Sequence, residues 1–448
     1  MKGGVPHLDR IRGWIRLRVR PLLGRIGRWT LVILVAVAAL IGVQHVTRGT
    51  SVRHVQGVGA DGSPVAPDEP QFPLTVAMLT GAPVLPGHRV EVLLNGDETF
   101  PRLWTDLRSA RQSITLQLYF GQAGRVADTF RDILKERARA GVRVFLLYDA
   151  FGFQDMPSEH ETALQEAGAV IVPFRPLRLS TLHLAQNRSH VRGIVIDGLV
   201  GWTGGFSVDD RWLGDGLRGW SWRETNVRFE GPAVRQLQAA FAAAWTEATG
   251  TLFSGRASLP GSEGADTLAG LLHATPTMGT TAAERFFAMT IAGARKTLYI
   301  TNSYFAPDEN FVTLLGDAAR RGVDVRILTS GQRTDIRTVR LAGRAQYESL
   351  LRAGVRLYEW QPSTLHAKTF VADGRWSTIG SMNFDNRSLT LNDESTLMVL
   401  DANVGARMTD IFLDDQQHAH EITLDNFRAR RWVQRILERA ASLLQRLL

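Results

Sequence analysis

The sequence predicts an α/β fold of two homologous domains preceded by one transmembrane helix. Three observations carry this. Strand-like runs alternate with helix-like runs along most of the 448 residues, the order expected of layered α/β architecture. A His-cation-Asp-Gly array occurs twice, with its histidines 176 positions apart. An uncharged apolar stretch near the N-terminus follows a dense run of cations.

Residues 1–28 hold Lys2 and seven arginines against Asp9, a basic arm of net charge +7. Residues 29–46 carry no formal charge and are about as long as a helix must be to cross a bilayer. One span is the first reading and a cleaved signal peptide the second. The long basic arm and the lack of a small-x-small site after the apolar core favour the span. Arginines before it favour a cytoplasmic N-terminus, placing the rest on the non-cytoplasmic side of a bacterial cell membrane.

Residues 47–89 are rich in Gly, Pro, Ser and Asp and read as a flexible linker. A first domain is expected over 90–253. It has a helical pattern at 100–110 and a β-rich run at 113–120, then a helix that stops at Gly141. Strands at 142–149 and 170–174 follow. The second domain, 265–415, repeats this order: Leu298 to Phe305 matches Ile114 onward, Val323 to Leu328 matches Val142 to Leu147, and Val355 to Tyr358 matches Val170 to Val172. Such offsets mean duplication with loop insertions. The Gly- and Pro-containing stretch at 254–264 is the expected linker between the two.

Residues 416–448 read as a C-terminal basic amphipathic helix. Its arginines give the stretch from Phe427 a net charge of +5. Two readings stay open for it: lying on an anionic membrane, or docked on the protein body. With +8 overall, +7 at one end and +5 at the other, the intervening chain sums to −4. A nucleic-acid groove is therefore disfavoured. There is no cysteine, so no disulfide.

The chemistry lies in the repeat. His190, Arg192, Asp197 and Gly204-Gly205 form the first array; His366, Lys368, Asp373 and Gly380-Ser381 form the second. Alternation would put His366 and Lys368 on one face of a strand, and Asp373-Gly374 is a hairpin signal. These residues resemble the phospholipase D superfamily, with its two H-x-K-x4-D motifs, and within it the bacterial cardiolipin synthase-like branch. The resemblance covers roughly residues 90–415 and implies two α/β/α domains packed as a pseudo-dimer.

It also implies roles. His190 would be the nucleophile and His366 the general acid. Lys368, Arg192, Asn383 and Ser207 would bind substrate phosphate, while Glu394 and Glu224 would orient the imidazoles. Asp197 and Asp373 rank lower, as turn residues or salt-bridge partners. For Glu224 a plain surface carboxylate is the competing reading. Arg192 and Ser207 depart from the family's Lys and Asn, and Gln117 from a common Glu. Neither a metal nor a cofactor is expected.

The implied activity is phosphatidyl transfer between two phosphatidylglycerols through a phosphohistidine, with release of glycerol. A phospholipase D-type hydrolase giving phosphatidic acid is one alternative. A non-catalytic, membrane-tethered lipid-binding scaffold with a decayed first half-site is another.

Overall fold

The computed structural model describes residues 28–32, 35, 36, 39, 42, 51–57, 62–178, 185–253, 266–277 and 279–445. The chain divides into residues 1–49 and a body from Thr50 to Leu448. In the first unit the described residues are helical and exposed. Among the described residues no helix is long and apolar enough to cross a membrane. Most of the expected span, and the basic arm up to residue 27, lie outside them.

The first half of the body carries α1 (Phe72–Thr80), β1 (Leu85–Leu94), α2 (Asn95–Ser109), β2 (Ser113–Leu118), α3 (Arg125–Arg139), β3 (Arg143–Asp149), α4 (Ser158–Glu166), β4 (Val170–Phe174), β5 (Gly193–Ile196), β6 (Val200–Gly204), β7 (Thr225–Glu230) and α5 (Ala233–Thr249). The second half opens with β8 (Thr267–Ala274), α6 (Ala282–Gly293), β9 (Thr297–Asn302), α7 (Glu309–Arg320), β10 (Asp324–Ser330), α8 (Arg337–Arg344), α9 (Tyr347–Arg352) and β11 (Arg356–Trp360). It continues through β12 (Lys368–Ala372), β13 (Trp376–Gly380), α10 (Asn386–Thr390), β14 (Glu394–Leu400), α11 (Ala402–Gln417), β15 (Ala419–Ile422), α12 (Leu424–Arg428) and α13 (Trp432–Ser442).

The fifteen strands among the described residues form one sheet, ordered β15-β11-β10-β9-β12-β13-β14-β8-β1-β7-β6-β5-β2-β3-β4. Leaving β15 aside, the order is mirrored about the β8–β1 junction. In each half, parallel strands at the outside (β2-β3-β4 and β9-β10-β11) give way to an antiparallel hairpin inside (β5–β6 and β12–β13). One core crosses the junction: Val195, Val227 and Leu237 of the first half pack with Leu271, Leu397 and Phe412 of the second.

Both hairpins turn on Asp-Gly. Asp197 and Gly198 have φ of 54° and 69°, Asp373 and Gly374 54° and 61°. Two consecutive left-handed residues make the turn whose twist suits an antiparallel pair, and Asp and Gly tolerate that region.

Three expectations need correction. The 47–89 linker contains structure: Phe72 and Val76 of α1 are buried, with Phe72 edge-on to Trp376 at 5.0 Å, and β1 already begins at Leu85. Burying such a side chain is worth about 1.5–3 kcal/mol, enough to override a Pro- and Gly-rich composition locally. The C-terminal stretch 416–448 is not one helix; β15 closes the sheet edge against β11, and α12 and α13 follow. His366 is not on the strand with Lys368 but two residues ahead of it. The expected 254–264 linker lies outside the described residues.

Candidate active site

The key side chains stand where strands begin. His190 precedes β5, His366 precedes β12, Glu224 immediately precedes β7, and Glu394 opens β14. Backbone bonds then cross between the halves. The amide of His190 donates to Asp393 O at 2.8 Å and that of Asp393 to Arg188 O at 2.9 Å. In the same way His366 donates to Arg223 O at 2.8 Å and Arg223 to Thr364 O at 2.9 Å. Each histidine segment is thus laced to the segment that carries the other half's glutamate.

The carboxylates are consequently exchanged. His190 Nδ1 lies 2.9 Å from Glu394 Oε2, and His366 Nδ1 lies 2.6 Å from Glu224 Oε2. All four residues are buried. With Nδ1–H donating to a carboxylate, each ring is left with Nε2 for chemistry. On His190, Arg192 Nη1 sits 3.0 Å from Nε2, and a guanidinium can only donate. That nitrogen therefore holds a lone pair. Glu224 is no surface carboxylate.

The two glutamates are anchored differently. Glu394 accepts from Ser381 Oγ at 2.5 Å and Ser388 Oγ at 2.6 Å. Glu224 accepts from Trp212 Nε1 at 3.2 Å and the Thr225 amide at 3.0 Å. This explains why the second array has Gly-Ser where the first has Gly-Gly. A Cβ on Gly205 would lie 2.2 Å from Glu224 Oε2, so only glycine fits.

Both histidines, Arg192 and Asn383 line one cavity of about 260 Å³, with Tyr119, Trp212, Trp222, Tyr304 and Arg387 among the other walls. Lys368 is buried beside it; its Nζ donates to the carbonyl of His366 and lies 6.0 Å from the Tyr304 ring centroid. Asn383 Oδ1 accepts from Ser303 Oγ at 3.0 Å.

Burial dominates the electrostatics. It holds both histidines well below their ordinary pKa, helped by the positive charges of Arg192 and Lys368. It pushes Glu394 up to about 7, raises Glu224, and drops Lys368 to about 7. With neutral imidazoles, four cations in or beside the cavity (Arg192, Arg211, Lys368 and Arg387) stand against four carboxylates (Glu224, Asp335, Asp385 and Glu394), so their formal charges cancel. An incoming phosphodiester monoanion leaves the site one negative charge in excess, which favours uptake of one proton.

Three assignments change. Ser207 is not in the cavity wall: its hydroxyl donates to Phe120 O at 2.5 Å and accepts from the Phe120 amide at 3.2 Å. Asp197 and Asp373 sit at the turn ends of the hairpins, about 20 Å along the chain from the histidines at strand rise. There Asp197 accepts from the amides of Arg111, Gln112 and Ser113, and Asp373 from those of Arg295, Lys296 and Thr297. They clamp each turn to the start of the neighbouring strand and do not reach the cavity. Gln117 donates to Ser189 Oγ at 2.9 Å, next to His190.

The aromatic walls were not legible as site residues. Trp212 and Trp222 flank His366 with ring centroids at 5.3 and 5.0 Å, and Tyr119 meets His190 edge-on at 4.8 Å. The signal that could have found the tryptophans is the first half's extra loop between β6 and β7.

The family model described as "Cardiolipin synthase, PLD-like domain" matches residues 288–416. Over 393 residues the chain is 34% identical to a cardiolipin synthase of Geobacillus kaustophilus (strain HTA426), covering 86% of this chain and 77% of that one. It is also 34% identical to cardiolipin synthase A of Pseudomonas fluorescens (strain SBW25), covering 82% and 76%. In fold it resembles a phosphatidylserine synthase of Haemophilus influenzae Rd KW20, with TM-score 0.59, 15% identity, and coverage of 84% of this chain and 100% of that one. A polyphosphate kinase of Porphyromonas gingivalis also matches, with TM-score 0.52, 14% identity, and coverage of 75% and 49%. One fold therefore serves different phosphate chemistries, and substrate has to be argued from the site.

Proposed function

The chain belongs to the cardiolipin synthase family of the phospholipase D superfamily, and on that premise we propose how its site moves a phosphatidyl group from one phosphatidylglycerol to another. The observation that carries the reading is the exchanged pair: two buried histidines from opposite halves facing one cavity, each held through Nδ1 by the other half's glutamate.

His190 Nε2, which has a lone pair, attacks phosphorus. The proton taken up with the phosphodiester sits on His366 Nε2; the bond to the glycerol oxygen breaks as that nitrogen delivers it to the leaving alkoxide, and a phosphohistidine remains. His366, now neutral, takes the proton from a hydroxyl of the second phosphatidylglycerol. That oxygen displaces His190, giving cardiolipin. Lys368, Arg192 and Asn383 stabilise the non-bridging oxygens, the role for which fixed donors in a dry site are best suited. Arg192 keeps the charge of the lysine it replaces. Ser207 has no part in this, being committed to Phe120.

The proposed setting is a bilayer. Residues 29–46 would form a single anchor with the basic arm on the cytoplasmic side and the catalytic body on the other, supported by the apolar run and its preceding arginines.

The test is mass spectrometry of lipids after incubation of the detergent-purified protein with phosphatidylglycerol. Cardiolipin plus glycerol is expected, falling by about 10²–10⁴-fold or more in each of His190→Ala and His366→Ala. Phosphatidic acid as the main product would replace transfer with hydrolysis, and no turnover would sink both.

A further inference from the structure

α13 has its amphipathic pattern turned outward. A helix packed on a protein normally buries its apolar stripe. Here the two residues it buries are Glu438, 2% exposed, and Ala441. Glu438 is ion-paired at 2.9 Å with Arg344 of α8 and at 2.8 Å with Arg430. At roughly 3.6 residues per turn, Trp432 and Ile436 fall on the opposite side, and Val433 and Leu437 line the flank next to them. Trp432 is 71% and Ile436 54% exposed, and Leu443 and Leu444 extend the patch beyond the helix end. Arg431, Arg435 and Arg439, all exposed, run along one flank.

The helix is seated on the elements that bound the cavity. α8, to which Glu438 ties it, contributes Val339 to the cavity wall, and Ile336 at its N-cap also lines the wall. Gln445 donates to Ala306 O at 3.0 Å and Pro307 O at 2.6 Å, two and three residues past Tyr304 of the wall.

We propose that α13 is a bilayer-docking surface: its apolar stripe enters the interface of an anionic leaflet, its arginines engage lipid phosphates, and α8 carries that attachment to the cavity. This rests on the lipid-substrate reading above. Charge favours lipid over a second copy of the chain, because pairing two such helices would bring two rows of arginines together. A basic flank beside an apolar face with Trp at its edge is the composition of interfacial helices.

The chain has no cysteine, so single-cysteine labelling is clean. Ile436→Cys and the control Asp132→Cys, an exposed position on α3, carry an environment-sensitive fluorophore on the full chain. The labelled protein is reconstituted in vesicles of phosphatidylglycerol and phosphatidylcholine, or of phosphatidylcholine alone, with spin-labelled lipids as quencher. Quenching at 436 at least about twofold stronger than at 132, dependent on phosphatidylglycerol and weakened by salt, is expected. Equal quenching at both positions overturns docking, and so does oxidative cross-linking of Ile436→Cys between copies. In a second arm, Ile436→Glu with Leu437→Glu is expected to lower turnover in vesicles about tenfold while leaving turnover in detergent unchanged. Equal loss in both media overturns the proposal. Failure of the parent protein to turn over phosphatidylglycerol in detergent, with quenching at 436 intact, removes the transferase reading and leaves docking standing.

Discussion

His190 and Glu394 come from opposite halves, so a change at the glutamate should be felt across the molecule. Glu394→Gln is expected to perturb the imidazole nitrogen resonances of His190 and leave those of His366 in place; Glu224→Gln should do the reverse. Each should cost about 10²–10⁴ in kcat, because a lost carboxylate partner releases the tautomer that points the lone pair at substrate. Perturbation of the histidine in the same half would refute the exchange. Lys368 gives a pH dependence with a definite sign. Its folded pKa of about 7 lies below the ordinary 10.5, so the unfolded chain binds more protons between those values. Thermal stability should therefore rise from pH 7 towards pH 10 relative to Lys368→Met. A phosphodiester bound at pH 8 should bring one proton into the site, the one His366 needs as acid, and calorimetry of a short-chain phosphatidylglycerol in buffers of different ionisation enthalpy should register net uptake. Net release would contradict the charge balance of the site.

The hairpins β5–β6 and β12–β13 show how a motif residue can serve an element and not the chemistry. Asp373 holds three backbone amides at a left-handed turn, each such bond to a charged group being worth about 1.5–3 kcal/mol at most in a partly exposed setting. Asp373→Ala should lower unfolding free energy by about 2–4 kcal/mol in denaturant titration while kcat per folded molecule stays within about twofold. Asp373→Asn, which tolerates the same φ, should recover part of the loss. A collapse of kcat at unchanged stability would return Asp373 to the chemistry. At the same scale, the short loop before β14 and the long one before β7 decide how the glutamates are held. Serines hold Glu394, and a tryptophan indole holds Glu224.

The whole molecule works as one because neither half holds a complete site. Residues 62–253 and 266–445 expressed separately should each be inactive, since each histidine would lose its carboxylate and the β8–β1 pairing and the shared core would be cut open. Co-expression should restore some turnover of phosphatidylglycerol, and activity in either fragment alone would refute the shared site. The sequence by itself determined the alternating α/β order, the duplicated arrays and the hairpin turns, because periodicity and turn chemistry are local. The two arrays also singled out His190, Arg192, His366 and Lys368, and the family resemblance pointed to Glu224, Glu394 and Asn383 as candidates. Only the tertiary structure decided which glutamate serves which histidine, that Ser207 is spent on Phe120, that α1 is packed and not a tether, and that aromatic rings wall the cavity. Those outcomes depend on cross-half pairing and on burial, which join residues as far apart in the chain as His190 and Glu394 or Phe72 and Trp376, and no local pattern relates them.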